Sequence, residues 1–394
     1  MENREARVIL KKGREKSIQG RHPWLFSGGI SKVEGDTAAG DILSLYDASG
    51  GFLAKGFYNP HSQIALRLLS FEDLPIDAGF FRERLQTALR LRQNLIQDCD
   101  AMRLVHAEAD GLPGLVIDRY ADVLSLQLSS LGMSRLRPLL AELLQDLLAP
   151  RLMIERSDSG ALKEEQMDAF SGILAGEGEP VAVIAEYGVK FEVDALRGQK
   201  TGFFLDQREN RRLIGNLAAG KRLLNCFSYT GGFSLHAAKN GATTTSVEIS
   251  GPAQEQAKAN FRLNGLDPAA HRFEKADVFD FLRAIDPETD PYDVIILDPP
   301  AFVKQHQHLK QACRAYQDIN RIAMRKSLPD GLLLSCSCSH YLDWDLFQKV
   351  IFAAAAESGR SVQILQRLGQ PVDHPVSLFH PEGEYLKAFL LRVI

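Results

Sequence analysis

The sequence predicts an α/β fold: a doubly wound parallel sheet in the C-terminal half, preceded by a small β region and an α+β region. Three observations predict it. From about Gly188, apolar runs of four to six residues alternate with helical stretches, the pattern of buried strands separated by helices. Residues 6 to 70 carry short apolar or alternating runs, punctuated by Gly28-Gly29, Gly50-Gly51 and Asn59-Pro60. Between these regions, helix-period segments flank a strand pair. The 394 residues are too many for one ordinary domain. The divisions read from the pattern are 1–73, 74–187 and 188–394.

In order, Val8–Leu10, Asp41–Tyr46 and Ile64–Leu69 are strands of the first region, which suggests a small barrel, and Leu74-Pro75 ends it. Phe81, Leu85, Ala88, Leu89, Leu95 and Ile96 recur at helical spacing. Gly111–Gly114 opens a strand, Leu115–Asp118, whose hairpin partner is Val123–Leu128. One helix runs from about Ser134 to Leu148 and stops before Pro150. Strands of the last region are Arg222–Asn225, Thr244–Glu248, Tyr292–Leu297 and Gly331–Ser335. Ligands of such sheets bind beyond the carboxyl ends of the strands, so the residue after each strand matters most.

Composition narrows the class. Apolar residues at 45% and charged residues at 24% are the balance of a soluble globular chain. The charged N-terminus has no signal-peptide stretch and no apolar run spans a bilayer, so a cytoplasmic protein is expected. Cys99, Cys226, Cys313, Cys336 and Cys338 show no Cys-x-x-Cys spacing, and any special role falls to a free thiol. No metal site is expected; His306 and His308 are an isolated pair. Net charge is −4, yet two stretches are basic: Arg4–Arg21, with seven Lys/Arg against two acids, and Lys304–Lys326, with six against one. Each is either a solvated face or a phosphate-binding patch.

The chemistry concentrates at the strand ends. After Arg222–Asn225 comes Cys226-Phe227-Ser228-Tyr229-Thr230-Gly231-Gly232, whose glycines let backbone approach a ligand ahead of a helix N-terminus. Glu248, at the end of the next strand, suits a pair of ribose hydroxyls or caps a helix. Asp277 accepts from an adenine amine or caps the helix after it. Asp298-Pro299-Pro300 ends the Tyr292–Leu297 strand, leaving Asp298 facing the crevice. The order glycine loop, Glu, Asp, Asp-Pro-Pro points to a methyltransferase using a nucleoside cofactor. The loop is not Gly-x-Gly-x-x-Gly, which disfavours a dinucleotide dehydrogenase.

Lys200–Arg208 (KTGFFLDQR), Asn225–Gly232, Leu297–Pro300, Ala312–Asn320 (ACRAYQDIN) and Ser337-Cys338-Ser339 resemble the motifs of bacterial 23S ribosomal RNA cytosine-5 methyltransferases. That resemblance implies an N-terminal PUA-like RNA-binding barrel, a central α+β domain and a C-terminal Rossmann-like class I methyltransferase domain. It implies S-adenosylmethionine as cofactor and large-subunit ribosomal RNA as partner. Thr201, Phe204, Asp206 and Arg208, with Phe227, Ser228, Tyr229, Thr230, Gly231 and Gly232, would line the cofactor pocket. Glu248 would hold the ribose, Asp277 the adenine, and Asp298 would lie beside the reacting methyl. Arg14–Trp24 is similar to that family's N-terminal segment, with Trp24 read as core rather than a stacking platform. A homodimer through the N-terminal region is left open.

Carbon 5 of cytosine is a poor nucleophile, and a thiolate adding to carbon 6 activates it. By the Ser-Cys-Ser resemblance, Cys338 is the nucleophile and Asp298 hydrogen-bonds the cytosine edge; the alternative for Cys338 is a small packing residue. Cys336 is the less suited thiol, and Cys226 and Cys313 are packing residues. Many RNA cytosine-5 methyltransferases carry a second cysteine where Pro300 stands here, so the base for the carbon-5 proton is unassigned. Phe302 either stacks on the target base or packs in the core. Two rival readings remain: guanine N7 methylation of ribosomal RNA, which needs no thiol, and a non-catalytic RNA-binding or assembly protein retaining the fold.

Overall fold

The computed structural model describes residues 6–157, 160–198, 202–303 and 306–394; Arg4, Lys200, Thr201 and Lys304, named above, lie outside them. The elements in chain order begin with β1 (Arg7–Leu10), α1 (Lys16–Gln19), β2 (Trp24–Phe26), β3 (Ile30–Glu34), β4 (Ile42–Tyr46), β5 (Phe52–Tyr58) and β6 (Ile64–Ser70). There follow α2 (Ala78–Leu95), β7 (Ala101–His106), β8 (Leu115–Tyr120), β9 (Val123–Leu128), α3 (Leu131–Arg135), α4 (Arg137–Leu148), β10 (Leu152–Ser157), α5 (Ala161–Glu165) and β11 (Phe170–Gly176). The hairpin β12 (Val181–Glu186) and β13 (Val189–Asp194) leads to α6 (Arg208–Leu217), β14 (Arg222–Cys226), α7 (Gly232–Lys239), β15 (Thr243–Glu248), α8 (Gly251–Leu263) and β16 (Arg272–Lys275). The chain ends with α9 (Val278–Ala284), β17 (Tyr292–Leu297), α10 (Leu309–Lys326), β18 (Ser327–Ser337), α11 (Trp344–Ser358), β19 (Val362–Leu368) and β20 (Lys387–Val393). No described helix is long and apolar enough to cross a membrane.

Contacts divide the chain into two units: residues 1–184, 193–205 and 372–383 form one, and residues 185–192, 206–371 and 384–394 the other. The first unit holds a six-stranded sheet, β2-β6-β5-β4-β1-β3, and a five-stranded sheet, β11-β10-β9-β8-β7. Alternation on β1 buries Val8 and Leu10, which meet Leu25, Leu43, Leu45, Leu66 and Leu68 in one core. Helix α2 starts where Asp77 accepts from the Phe80 N–H at 3.0 Å, and buries Phe81, Leu85, Ala88 and Leu89 on one face. The expected helix from Ser134 to Leu148 is two helices, broken at Leu136. Pro138, in the first turn of α4, has no N–H to bond back to the preceding turn. Trp24 is half-buried, its Nε1 donating to Glu108 at 2.8 Å and its ring covered by the Arg67 guanidinium at 5.7 Å.

The second unit is a seven-stranded sheet ordered β16-β15-β14-β17-β18-β20-β19. Strands β14 to β18 are parallel, whereas β20 runs antiparallel to both β18 and β19. The sheet is therefore not wholly parallel. Period-2 alternation on β17 sends Ile295 and Leu297 to one core with α9, α10 and α11, and Val294 and Ile296 to another with α6 and α7. Order reverses between β14 and β17, which makes the crevice beyond their carboxyl ends the natural ligand position.

Candidate active site

Register brings the sequence-predicted acids and the glycine loop to one edge of the second unit's sheet. Cys226 is paired with both Val247 and Leu297, so the glycine loop, Glu248 and Asp298 leave neighbouring strands at one level. Glu248 is opposite Lys275, and Asp277 follows two residues later. Leu297 is opposite Ser335, which sets Asp298 level with Cys336.

The loop after β14 has an unusual backbone. Phe227 and Tyr229 take φ of 59° and 48°, and Gly231 takes 81°. Left-handed conformations cost a residue with a Cβ about 1–3 kcal/mol, and such strain clusters at ligand sites. Glu248 holds the loop: its Oε2 accepts from the Tyr229 N–H at 3.0 Å, while its Oε1 accepts from the Ser250 N–H at 2.9 Å. A carboxylate has lone pairs beyond these two, so ribose hydroxyls remain acceptable partners. A methyl on Gly232 would meet Arg211 Cδ at 2.8 Å, and one on Gly231 would meet the Ala257 Cβ at 3.1 Å. The Ser228 hydroxyl is buried with no hydrogen-bond partner among the described residues. Buried hydroxyls are normally paired, so this one fits a polar ligand group at the loop. A glycine cradle, an orphaned hydroxyl and an acid at the next strand end together suit the amino acid and ribose of S-adenosylmethionine.

The other predicted residues take varied positions. Asp277 caps α9, accepting from the Phe279 N–H at 2.8 Å and the Asp280 N–H at 3.2 Å. Thr230 is buried, its carbonyl accepting from Asn260 Nδ2 at 3.2 Å. Asp206 accepts from the Tyr385 hydroxyl at 2.8 Å. Arg208 is fully buried at the start of α6 and donates to Glu209 at 3.1 Å. Phe204 is half-buried and belongs to the first unit, where the neighbouring Phe203 N–H donates to the Tyr120 hydroxyl at 3.2 Å. Phe302 packs against the core, with Tyr316, Phe279 and Phe227 at ring distances of 4.7, 6.2 and 6.5 Å.

The thiols are sorted by burial. Strand β18 runs two residues further than expected, to Ser337, because its backbone keeps pairing with β20. Cys336 is thereby inside the strand and fully buried, and burial pushes its thiol well above the usual range, with Asp298 adding to the rise. Cys226 is also fully buried, and its thiol is pushed far up. Cys338, just beyond the strand, is only half-buried. Its two neighbours are fixed by α10: the Ser337 hydroxyl donates to Tyr316 Oη at 3.0 Å, and Ser339 Oγ lies 3.1 Å from the same oxygen. Burial pushes the Tyr316 phenol up to about 12, so it stays protonated.

Four residues without an assigned role stand out. Gln207 donates to Asp298 Oδ1 at 2.9 Å and accepts from Asn210 at 2.6 Å, so it orients the Asp-Pro-Pro carboxylate. Tyr316 is the second, and both lie in stretches that already carry the resemblance. Tyr385 and Lys387 had no such signal beyond a charged residue placed at the head of an apolar run. Of the basic stretches, that on α10 is partly engaged within the protein, with Lys310 and Arg314 exposed. Arg321 pairs with Asp318, Arg325 donates to the Glu357 carbonyl and Lys326 to that of Ile285. In the N-terminal stretch, Lys11, Lys12, Arg14 and Lys16 are exposed.

Glu248→Gln is expected to weaken S-adenosylmethionine binding about 10- to 100-fold, the cost of a charge-assisted bond to ribose. Isothermal titration measures it, and an unchanged affinity removes Glu248 from the cofactor site.

Comparison with known proteins agrees with this architecture. A family model described as S-adenosylmethionine-dependent methyltransferase matches residues 139–392, and one described as PUA-like domain matches residues 8–71. The chain is 45% identical over 393 residues to "Ribosomal RNA large subunit methyltransferase I" of Vibrio cholerae, covering 98% of this chain and 99% of that one. The protein of that name from Klebsiella pneumoniae is 43% identical over 393 residues, covering 98% of each chain. Among solved structures, a SAM-dependent methyltransferase from Streptococcus mutans superposes with a TM-score of 0.83 at 25% identity, covering 98% of this chain and 100% of that one. The cofactor is S-adenosylmethionine, and the chain belongs to the ribosomal RNA large subunit methyltransferase I family of S-adenosylmethionine-dependent methyltransferases.

Proposed function

We propose that this protein methylates carbon 5 of a cytosine in 23S ribosomal RNA, with Cys338 as a covalent nucleophile. The observation that carries the reading is Cys338 itself: a half-buried thiol flanked by two serines pinned to Tyr316, one residue past the strand that runs beside Asp298. Guanine N7 is already nucleophilic and gives such a thiol no task. The ribosomal substrate is supported by the names of relatives 43–45% identical over nearly the whole chain. The exposed lysines and Arg14 of the PUA-like region supply cations for RNA phosphates.

When bound, S-adenosylmethionine supplies an electrophilic methyl. Glu248 takes the ribose, Asp277 the adenine through the carboxylate oxygen not used in capping, and the loop from Phe227 to Gly232 the amino acid end. Asp206 and Arg208 complete the proposed cofactor set within the second unit; Thr201 falls outside the described residues. The target cytosine is unpaired or leaves its stack to reach the thiol. The Cys338 thiolate adds to carbon 6, and the electrons pushed to carbon 5 make it nucleophilic enough to accept the methyl. Asp298, held by Gln207, hydrogen-bonds the cytosine edge. A base then takes the carbon-5 proton, the carbon 5–carbon 6 double bond re-forms, and the carbon 6–sulfur bond breaks to release Cys338 as the thiolate. Work on ribosomal RNA implies a cytoplasmic protein.

The test is transfer from labelled S-adenosylmethionine to unmodified ribosomal RNA, followed by nuclease digestion and mass spectrometry of the labelled nucleoside. Label at carbon 5 of cytosine is expected. Label at guanine N7 overturns the proposal; cofactor binding without any transfer counts against the RNA substrate, and failure to bind the cofactor supports a non-catalytic assembly role.

A further inference from the structure

The first residue of β20 is a lysine that is only 2% exposed. Its position follows from register: Lys387 is opposite Ser337 in the antiparallel β18·β20 pair, and cross-strand partners share a face. That is the face of Phe389 and Leu391, which pack with α10 and α11. A buried ammonium is costly unless it meets an acceptor or an anion. Lys387 Nζ donates to the Ser339 carbonyl at 3.1 Å, the residue after Cys338. Three groups favour its charge, in order Glu384, Cys338 and Asp343. Trp344 Nε1 donates to Glu384 at 2.8 Å, and Asp343 caps α11, accepting from the Leu346 N–H at 2.8 Å. Both acids therefore have other duties.

Charged and titratable groups of both signs are coupled to Cys338. Tyr316 from α10 and Cys336 from β18 each feel the Cys338 charge unfavourably, and each is kept neutral by burial. Asp298 and Asp206 act on Cys336 from the carboxyl edge and are negative. Lys387 brings a positive charge that is coupled to Cys338. A thiol attacks carbon as its anion, and a neighbouring cation stabilises that anion.

We infer that Lys387 is a positioning residue for the covalent step: its ammonium stabilises the thiolate of Cys338 and, through the Ser339 carbonyl, fixes the turn that presents it. The inference rests on Cys338 being the nucleophile. Lys387 keeps its proton throughout. The thiol's proton passes to water before the sulfur adds to carbon 6, and the ammonium balances the charge left on sulfur. Burial also lowers the lysine's own pKa, and the thiolate opposes that lowering.

The test reads the thiol directly, in the full-length protein without cofactor or RNA. Iodoacetamide alkylation of Cys338 is followed against pH by peptide mass spectrometry, which separates it from Cys99 and Cys313. Lys387→Met is expected to move the midpoint of the Cys338 profile up by about one pH unit and to slow alkylation at pH 7 about tenfold. Lys387→Arg keeps the charge and is expected to restore most of the shift, with Cys99 and Cys313 as internal references for folding. A Cys338 profile unmoved in Lys387→Met, with the reference thiols unchanged, overturns the inference. Equal slowing in the Arg and Met variants overturns it as well, because it would report packing rather than charge. Failure of the parent reading looks different: cytosine methylation persists in Cys338→Ser, whatever the alkylation profile.

Discussion

Cys338→Ala is expected to abolish transfer to cytosine while S-adenosylmethionine still binds. The rate loss should be on the order of 10⁴-fold or more, because the residue that turns carbon 5 into a nucleophile is gone and nothing nearby replaces it. Cofactor binding should survive, since Cys338 follows β18 whereas the proposed cofactor loop follows β14. The matched control is Cys336→Ala. That thiol is fully buried on the opposite side of β18 from Ser337, packed with Val294, Ile296 and Leu390. Removing its sulfur creates a small void costing about 1 kcal/mol, and transfer is expected to stay within about tenfold of wild type. Single-turnover transfer to ribosomal RNA, with cofactor affinity measured separately, gives both numbers. Undiminished transfer by Cys338→Ala rejects the covalent mechanism, and loss in Cys336→Ala alone moves the nucleophile into the strand.

The sequence made the strand ends of the second unit legible because a parallel sheet buried on both faces writes itself as short apolar runs. Tyr292–Leu297 is read and observed with the same bounds. Residues following such runs are then placed by topology alone, which is why Glu248 and Asp298 could be named without side-chain geometry. Other features are tertiary and leave no local mark. The antiparallel β20 has an apolar run like that of a parallel strand, since both are covered by helices. The extension of β18 to Ser337 depends on continued pairing with β20, and this decides that Cys336 is core while Cys338 is not. The break at Leu136 was locally written, in Pro138, but a proline in the first turn of a helix also reads as an ordinary start. Charge counting leaves the Lys304–Lys326 stretch open between a solvated face and a phosphate-binding patch; in the fold Arg321, Arg325 and Lys326 are engaged by Asp318 and by carbonyls far off in sequence, while Lys310 and Arg314 are exposed. Net charge along a chain says nothing about acids that folding brings alongside. Lys387 is the converse, one cation in an apolar strand, whose meaning appears only when register sets it opposite Ser337.

Arg211→Met is expected to cost the fold about 3–5 kcal/mol, the largest stability loss from a single side chain in the second unit, because it leaves a buried carboxylate without its cation. Glu186, at the end of β12, is 1% exposed and accepts from Arg211 in a two-bonded fork at 2.8 and 2.6 Å. His236 Nε2 of α7 donates to the same carboxylate at 2.9 Å, and Phe191 stacks on its ring at 6.0 Å. Burial alone would raise the Glu186 pKa, but Arg211 and then His236 outweigh it and pull it from 4.5 down to about 2. A carboxylate with a depressed folded-state pKa contributes stability that is complete above its unfolded value and is lost as pH falls through the folded one. The wild-type contribution therefore holds above about pH 4.5 and fades toward about pH 2. Without Arg211, Glu186 can protonate at higher pH to escape its unpaired charge, so the deficit of Arg211→Met should be full at pH 7 and shrink on acidification. Urea unfolding at pH 7 and pH 4.5 measures this. A pH-independent deficit would mean that lost packing, not charge, dominates. The double variant Glu186→Leu/Arg211→Met should recover part of the loss, as replacing a whole buried pair costs far less than breaking it. The effect should also reach the cofactor loop. The Arg211 stem occupies the space where a Gly232 side chain would be, so the buried ion pair that anchors α6 also shapes the cradle. Weaker S-adenosylmethionine binding in Arg211→Met under conditions where the variant remains folded would tie the stability of this unit to the geometry of its ligand site.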